Sequence, residues 1–262
     1  MKYVIVLPDG MADNKYSELG GKTPVEYANT PNMDFISSNG VIGRVKTIPA
    51  NLPCGSDVAI MSVMGYNPEL YYMGRGPLEA VSMDLPLNTE DIIFRCNNVT
   101  IKNDIMISSN ANHIKTEYSR KIIQLFNENN KFVGVKLYPG AGYRHILLID
   151  NREYPEIDYN NIECAPPHDI VNRDIRKYLP SGAGADIINE IMRYSGELLR
   201  DYKTPENNEP NMFWLWGQGK LKKLAKFSEI YGLNCAVISA VDLINGLGKY
   251  IGFDVIKVPG VT

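Results

Sequence analysis

Ser56 follows Gly55, precedes Asp57 and opens the run Ser-Asp-Val-Ala-Ile-Met-Ser-Val-Met, directly after the turn-forming Leu52-Pro53-Cys54-Gly55. A hydroxyl at the start of a helix sits among backbone N–H groups that have no intrahelical acceptor, where phosphate oxygens and developing negative charge are stabilised. Asp9 stands just past the apolar stretch 3–7, in Pro8-Asp9-Gly10. A carboxylate beyond the carboxyl end of a strand is placed where open α/β sheets bind ligands, and it is a natural ligand for a divalent cation. Together the two residues suggest a metal-assisted phosphoryl-transfer site. Each also has a plainer reading. Ser56 can be an ordinary helix cap, and Asp9-Gly10 can simply make a turn. As a nucleophile Ser56 needs activation, which coordination of its oxygen to a metal would supply. The local string Gly55-Ser56-Asp57-Val58-Ala59 lacks the second glycine of a Gly-x-Ser-x-Gly elbow, which disfavours an ordinary esterase. Only three histidines are present, none after position 168.

The elements that must hold these residues alternate at first. Residues 3–7 read as a strand buried on both faces. Thr30 and Pro31 start a helix that ends at Gly40, and 41–47 read as the next strand. Residues 56–64 form a helix closed by Gly65, and another begins near Gly76-Pro77. From about Ile92 the pattern turns strand-rich, with strands at 92–100, 105–108, 132–137 and 145–149 and one amphipathic helix at 116–126. Helix returns at about 185–202, and a loop with Pro205, Asn207, Asn208 and Pro210 follows. Residues 235–239, 240–250 and 254–258 then read as strand, helix and strand. Trp214 and Trp216 flank Leu215 at strand-like alternation and read as packing at a domain seam. Gly217-Gln218-Gly219 reads as a backbone turn, and Lys220, Lys222, Lys223 and Lys226 as a solvated face.

Composition sets limits. With 27 Lys and Arg against 30 Asp and Glu, the net charge of −3 gives no reason to expect nucleic acid or an anionic membrane as main partner. Cys54, Cys96, Cys164 and Cys235 form no Cys-x-x-Cys pair, which disfavours a zinc knuckle and fits a reduced, cytoplasmic setting. Met1-Lys2 runs straight into apolar residues without a signal-type segment, and no apolar run approaches membrane-spanning length. A soluble protein is expected.

Several ordered blocks are distinctive: Leu7-Pro8-Asp9-Gly10-Met11-Ala12-Asp13, Gly20-Gly21-Lys22-Thr23-Pro24, Thr30-Pro31-Asn32-Met33-Asp34 and Gly55-Ser56-Asp57-Val58-Ala59. Gly74-Arg75-Gly76-Pro77-Leu78-Glu79-Ala80, Arg95-Cys96-Asn97, Tyr143-Arg144-His145, Pro166-Pro167-His168-Asp169 and Trp214-Leu215-Trp216-Gly217 follow in order. Across its whole length the chain resembles the archaeal-type cofactor-independent phosphoglycerate mutases of the alkaline phosphatase superfamily. The resemblance implies an α/β fold with a mostly parallel sheet flanked by helices and an inserted α+β domain. Residues 1–89 and 176–262 would form the phosphatase-like domain, and 90–175 the inserted substrate-binding domain. It further implies a two-metal centre (Mn²⁺ or Mg²⁺) with Asp9 and Ser56 among its ligands, transient phosphorylation of Ser56, and no 2,3-bisphosphoglycerate. His113, Arg144, Arg95, His168 and Asp169 would grip the phosphate and carboxylate of a small phosphoglycerate substrate. Arginine suits both groups through its planar fork. Asn112 departs from the small residue expected before His113, and His145, entering a strand, is the weakest of the set.

One departure bears on activity. The resemblance implies further metal ligands in a later Asp-Glu-Ala-Gly-His-like motif, an Asp-His pair and a final histidine, and none of these occurs up to Thr262. The expectation is a truncated, catalytically inactive form of an enzyme that interconverts 3- and 2-phosphoglycerate in glycolysis and gluconeogenesis. The rivals are a paralogous phosphotransferase, such as a proposed homoserine kinase, and a catalytically silent binding protein.

Overall fold

A computed structural model describes residues 1–206 and 209–259. The chain divides into two compact units, Met1–Lys46 and Thr47–Thr262.

The first unit contains two helices, α1 (Pro24–Tyr27) and α2 (Pro31–Asn39). A capping box opens α1: Thr23 Oγ1 accepts the Glu26 N–H (3.2 Å), and Glu26 Oε2 accepts the Thr23 N–H (2.8 Å). Pro31 starts α2 as expected, but the Thr30 hydroxyl donates to Asp34 Oδ1 (3.1 Å) instead of capping the backbone. The strands expected at 3–7 and 41–47 do not form. Val4 and Val6 are 84% and 81% exposed. A strand of consecutive apolar residues is stable only with pairing partners and cover on both faces, and the first unit supplies neither.

The second unit begins with α3 (Ser56–Val63), α4 (Pro68–Tyr71) and α5 (Arg75–Ser82). Next come β1 (Asp91–Lys102), β2 (Ile105–Ser108), α6 (Thr116–Asn129), β3 (Val135–Pro139) and β4 (Arg144–Asp150). The chain continues through α7 (Ala185–Leu198) and β5 (Met212–Gly219), then α8 (Phe227–Tyr231), β6 (Ala236–Val237), α9 (Asp242–Tyr250) and β7 (Asp254–Val255). Of the loop expected after α7, Asn207 and Asn208 lie outside the described residues, as do Gly260, Val261 and Thr262 at the chain end.

Five strands form one antiparallel sheet in the order β2-β1-β4-β3, with β5 also paired to β1. Residues 91–100 of β1 are buried without a break because both faces of the strand are covered. On one face Ile92, Phe94 and Cys96 join Ile122 and Phe126 of α6, Ile188 and Met192 of α7, and Phe213 of β5. On the other, Ile93, Ile146 and Leu148 meet Ala80 of α5. A further core packs Ile60 and Met61 of α3 and Leu78 of α5 against Leu243 and Leu247 of α9. Because β5 pairs with β1, the sheet that starts at residue 91 draws in residues well past 175.

The mixed α/β class expected from the sequence is the one observed. Its balance is different, since the larger sheet is antiparallel and parallel pairing among the described residues is confined to β6 and β7. No helix among the described residues is long and apolar enough to cross a membrane.

Candidate active site

Ser56 is the first residue of α3 and is half-buried. Beside it, the Asp57 carboxylate is 2% exposed and accepts a hydrogen bond from the Tyr72 hydroxyl (2.7 Å), with Arg75 Nε at 3.5 Å. Burial, and then the Asp57 carboxylate, push the Tyr72 hydroxyl well above its ordinary pKa, so it stays a donor. The start of α3 is thereby tied to the start of α5.

The start of α5 in turn lies against β5. Gly74 has φ +84, and a Cβ there would stand 2.2 Å from the Gln218 carbonyl oxygen. Only glycine permits both the backbone conformation and the approach. Arg75 follows and brings its guanidinium to 5.7 Å from the Trp216 ring centroid.

Antiparallel register decides what else gathers on Trp216. Arg95 of β1 is paired with Trp216, and Asn97 with Trp214, so Arg95, Asn97 and Trp216 share a face. The Arg95 guanidinium lies 4.3 Å from the Trp216 centroid, and its Nε is 3.0 Å from Glu79 Oε2 of α5. The Trp216 indole N–H donates to Asn97 Oδ1 (3.1 Å), and Asn97 Nδ2 donates to the Ser109 carbonyl (3.0 Å). His168 meets the same indole edge-on, with centroids 5.3 Å apart. Arg144, exposed and directly opposite Asn97 on β4, adds a third positive charge felt by both Glu79 and Arg95. Burial raises the Glu79 carboxyl pKa, and the guanidinium of Arg95 opposes that shift most strongly. Burial also lowers the pKa of Arg95, an effect Glu79 resists.

The remaining expected site residues fall in different places. His113 ends a run of three non-glycine residues in the left-handed region, Ala111, Asn112 and His113 (φ 47, 54 and 56). Asn110 Oδ1 accepts the His113 N–H (3.1 Å), and Ser108 Oγ accepts the Asn112 N–H (2.9 Å). Consecutive left-handed L-residues are costly, and such strain collects where side chains are held for function. The Asn97–Ser109 bond joins this loop to the Trp216 cluster. Asp169 is exposed, 3.7 Å from His168 Nε2. His145 faces the core at 1% exposure, where Nδ1 accepts the Gly140 N–H (3.2 Å). Burial pushes its pKa down to about 3, which suits a neutral packing residue and not an anion grip.

Asp9 belongs to the first unit and Ser56 to the second. No group of three or more His, Cys, Asp or Glu among the described residues could hold a metal ion. A pair of divalent cations needs several ligands each, so the described residues do not by themselves fit the two-metal centre implied by the resemblance.

Sequence reasoning passed over Glu79, Arg75, Asn97 and the platform role of Trp216. The Gly74-Arg75-Gly76 block and the alternation Arg95-x-Asn97 against Trp214-x-Trp216 were the available signals, but the register that pairs them is set only in the folded sheet.

The family model described as 2,3-bisphosphoglycerate-independent phosphoglycerate mutase matches residues 37–204. A protein of that name from Methanosarcina barkeri is 43% identical over 268 residues, a match that covers all of this chain and 66% of the relative. One named as a probable enzyme of the same kind from Geobacter sulfurreducens is 42% identical, with 67% of its length covered. The chain thus spans about two thirds of the length of these curated relatives. A Pyrococcus horikoshii structure superposes with a TM-score of 0.71 at 27% identity, over 97% of this chain and 61% of that one. The cofactor-independent phosphoglycerate mutase of Thermoplasma acidophilum shares the fold, with a TM-score of 0.53 at 21% identity over 96% of this chain and 68% of that one. The chain belongs to the 2,3-bisphosphoglycerate-independent phosphoglycerate mutase family.

Proposed function

We propose that these residues serve the interconversion of 3-phosphoglycerate and 2-phosphoglycerate, without 2,3-bisphosphoglycerate, in a cytoplasmic enzyme of glycolysis and gluconeogenesis. In this reading the Ser56 oxygen attacks the substrate phosphorus, the first glycerate oxygen leaves with a proton, and the phosphoserine returns the group to the other hydroxyl. Arg95, Arg144, His113, His168 and Asp169 hold and turn the retained glycerate, and residues 90–175 carry most of that grip. The observation that supports this best is the unbroken chain of contacts from the Ser56 helix to the basic cluster: Asp57 to Arg75, Arg75 to Trp216, Trp216 to Arg95 and His168. A nucleophile at a helix start whose neighbour Asp57 pairs with Arg75, in a chain of contacts that leads on to Arg95, suits a substrate carrying both a phosphate and a carboxylate.

Metal dependence is part of the proposal, with Asp9 and Ser56 as two contributors to a Mn²⁺ or Mg²⁺ centre. They supply too few ligands alone, so the 262 residues assayed by themselves should be inactive. The test is a protein of the relatives' full length, incubated with 3-phosphoglycerate and Mn²⁺ or Mg²⁺, with 2-phosphoglycerate measured. Product should form, label from phosphorylated substrate should appear on Ser56, and Ser56→Ala should abolish both. Normal turnover by Ser56→Ala, or no 2-phosphoglycerate from the unaltered protein, rejects the reading.

A further inference from the structure

Arg95 is held in an unusual setting. Its guanidinium lies over the Trp216 indole at 4.3 Å, its residue exposure is 8%, and its only ion-pair partner among the described residues is Glu79, through Nε at 3.0 Å. No hydrogen bond engages the guanidinium among the described residues, and Nε itself lacks hydrogen-bond geometry to any acceptor. Glu79 approaches Nε, at the base of the fork. It is 14% exposed in the side chain and sits on α5, an element separate from β1. Trp216 cannot slide away, because its N–H is anchored on Asn97 and its ring is flanked by Arg75 and His168. An arginine fixed by a carboxylate at Nε and by an aromatic face presents its remaining N–H groups as a paired donor, the geometry that recognises two oxygens of one anion.

We propose that Glu79 is a positioning residue: acting through Arg95 against Trp216, it fixes the guanidinium as a preformed fork for an anionic oxygen pair of the substrate. It rests on the phosphoglycerate reading of this face and adds to it a residue that touches no substrate. The shared chemistry is a planar or tetrahedral oxyanion, which either the carboxylate or the phosphate end could supply.

Trp216 is one of two tryptophans in the chain, so indole fluorescence reads the cluster directly without turnover. The 262-residue chain is titrated with 3-phosphoglycerate, inorganic phosphate and glycerate, in unaltered, Glu79→Gln, Arg95→Gln and doubly substituted forms, with thermal melts as a folding check. Unaltered protein should bind 3-phosphoglycerate, and glycerate or phosphate should bind more weakly according to which end meets Arg95. Glu79→Gln should raise Kd for that ligand about tenfold with little change in melting, and should add almost nothing once Arg95 is Gln. Should Glu79→Gln not fold, Arg95→Lys carries the test: it keeps the charge facing Glu79 but loses the fork, and binding should weaken about as much. Unaltered affinity in Glu79→Gln or Arg95→Lys overturns the proposal, as does a full Glu79→Gln effect in the Arg95→Gln background, or no binding of any of the three ligands. Glu79-dependent binding of phosphate or glycerate without binding of 3-phosphoglycerate supports the fork and rejects the mutase reading instead.

Discussion

Three histidines meet three different fates, and physical setting decides each. His168 is half out in solvent against an indole, and His113 rides a left-handed turn, but His145 is sealed beneath the sheet at 1% exposure. Burial lowers the His145 pKa from its ordinary 6.5 to about 3, so the folded protein keeps it neutral. Between those values an unfolded chain binds a proton there and the folded one does not. Stability therefore rises with pH through this window and falls as pH drops below 6.5. Lowering the pH from 6.5 to 5 should cost about 1.6 kcal/mol through this group. Urea unfolding at the two pH values should show that His145→Gln loses correspondingly less than the unaltered protein, and an equal loss in both would contradict the assignment. In the sequence, the one sign against His145 was that it enters a strand, which does not say which face of that strand turns inward. The β1–β4 register supplies it, placing Arg144 opposite Asn97 and His145 opposite Cys96.

Helix α5 couples the region around Ser56 to the sheet. Its first residue pairs with Asp57, its fifth with Arg95, and Leu78 and Ala80 go to two different cores. Helix α9 supports it from behind through a close backbone approach. A Cβ added at Gly246 would lie 1.8 Å from the Leu78 carbonyl oxygen, a distance no side-chain adjustment can relieve. Gly246→Ala should force the helices apart and destabilise the second unit by about 1–3 kcal/mol, measured as a lowered urea midpoint. Because Glu79 lies one residue beyond Leu78, ligand affinity at Arg95 should fall as well; an unshifted midpoint would show that α5 and α9 are not packed this tightly. Most elements of the second unit were legible from periodicity, with β2, α6 and β4 close to their expected bounds. These segments carry their own signals: alternating apolar residues, flanking Asn and Asp turns, and an amphipathic stripe. The strands expected at 3–7 and 41–47 carry equally strong apolar runs, yet a strand forms only where another pairs with it.

Across the whole molecule, every core residue lies beyond position 57, and no side chain of residues 1–46 is buried. A fragment starting at Thr47 should therefore keep the sheet and the Trp216 cluster. It should unfold cooperatively with heat by circular dichroism; a melt without a cooperative transition would mean that the second unit does not fold by itself. Sequence alone determined the family, the α/β class, the helix start that presents Ser56, and the arginines and histidines worth attention. These follow from local chemistry and from the order of short motifs. It did not determine which of those residues meet. Arg95 finds Trp216 because two strands more than a hundred residues apart pair in one register, and Glu79 finds Arg95 because α5 lies across that pair. Such contacts depend on register and helix placement, which many weak interactions fix together, and so only the tertiary structure decided them.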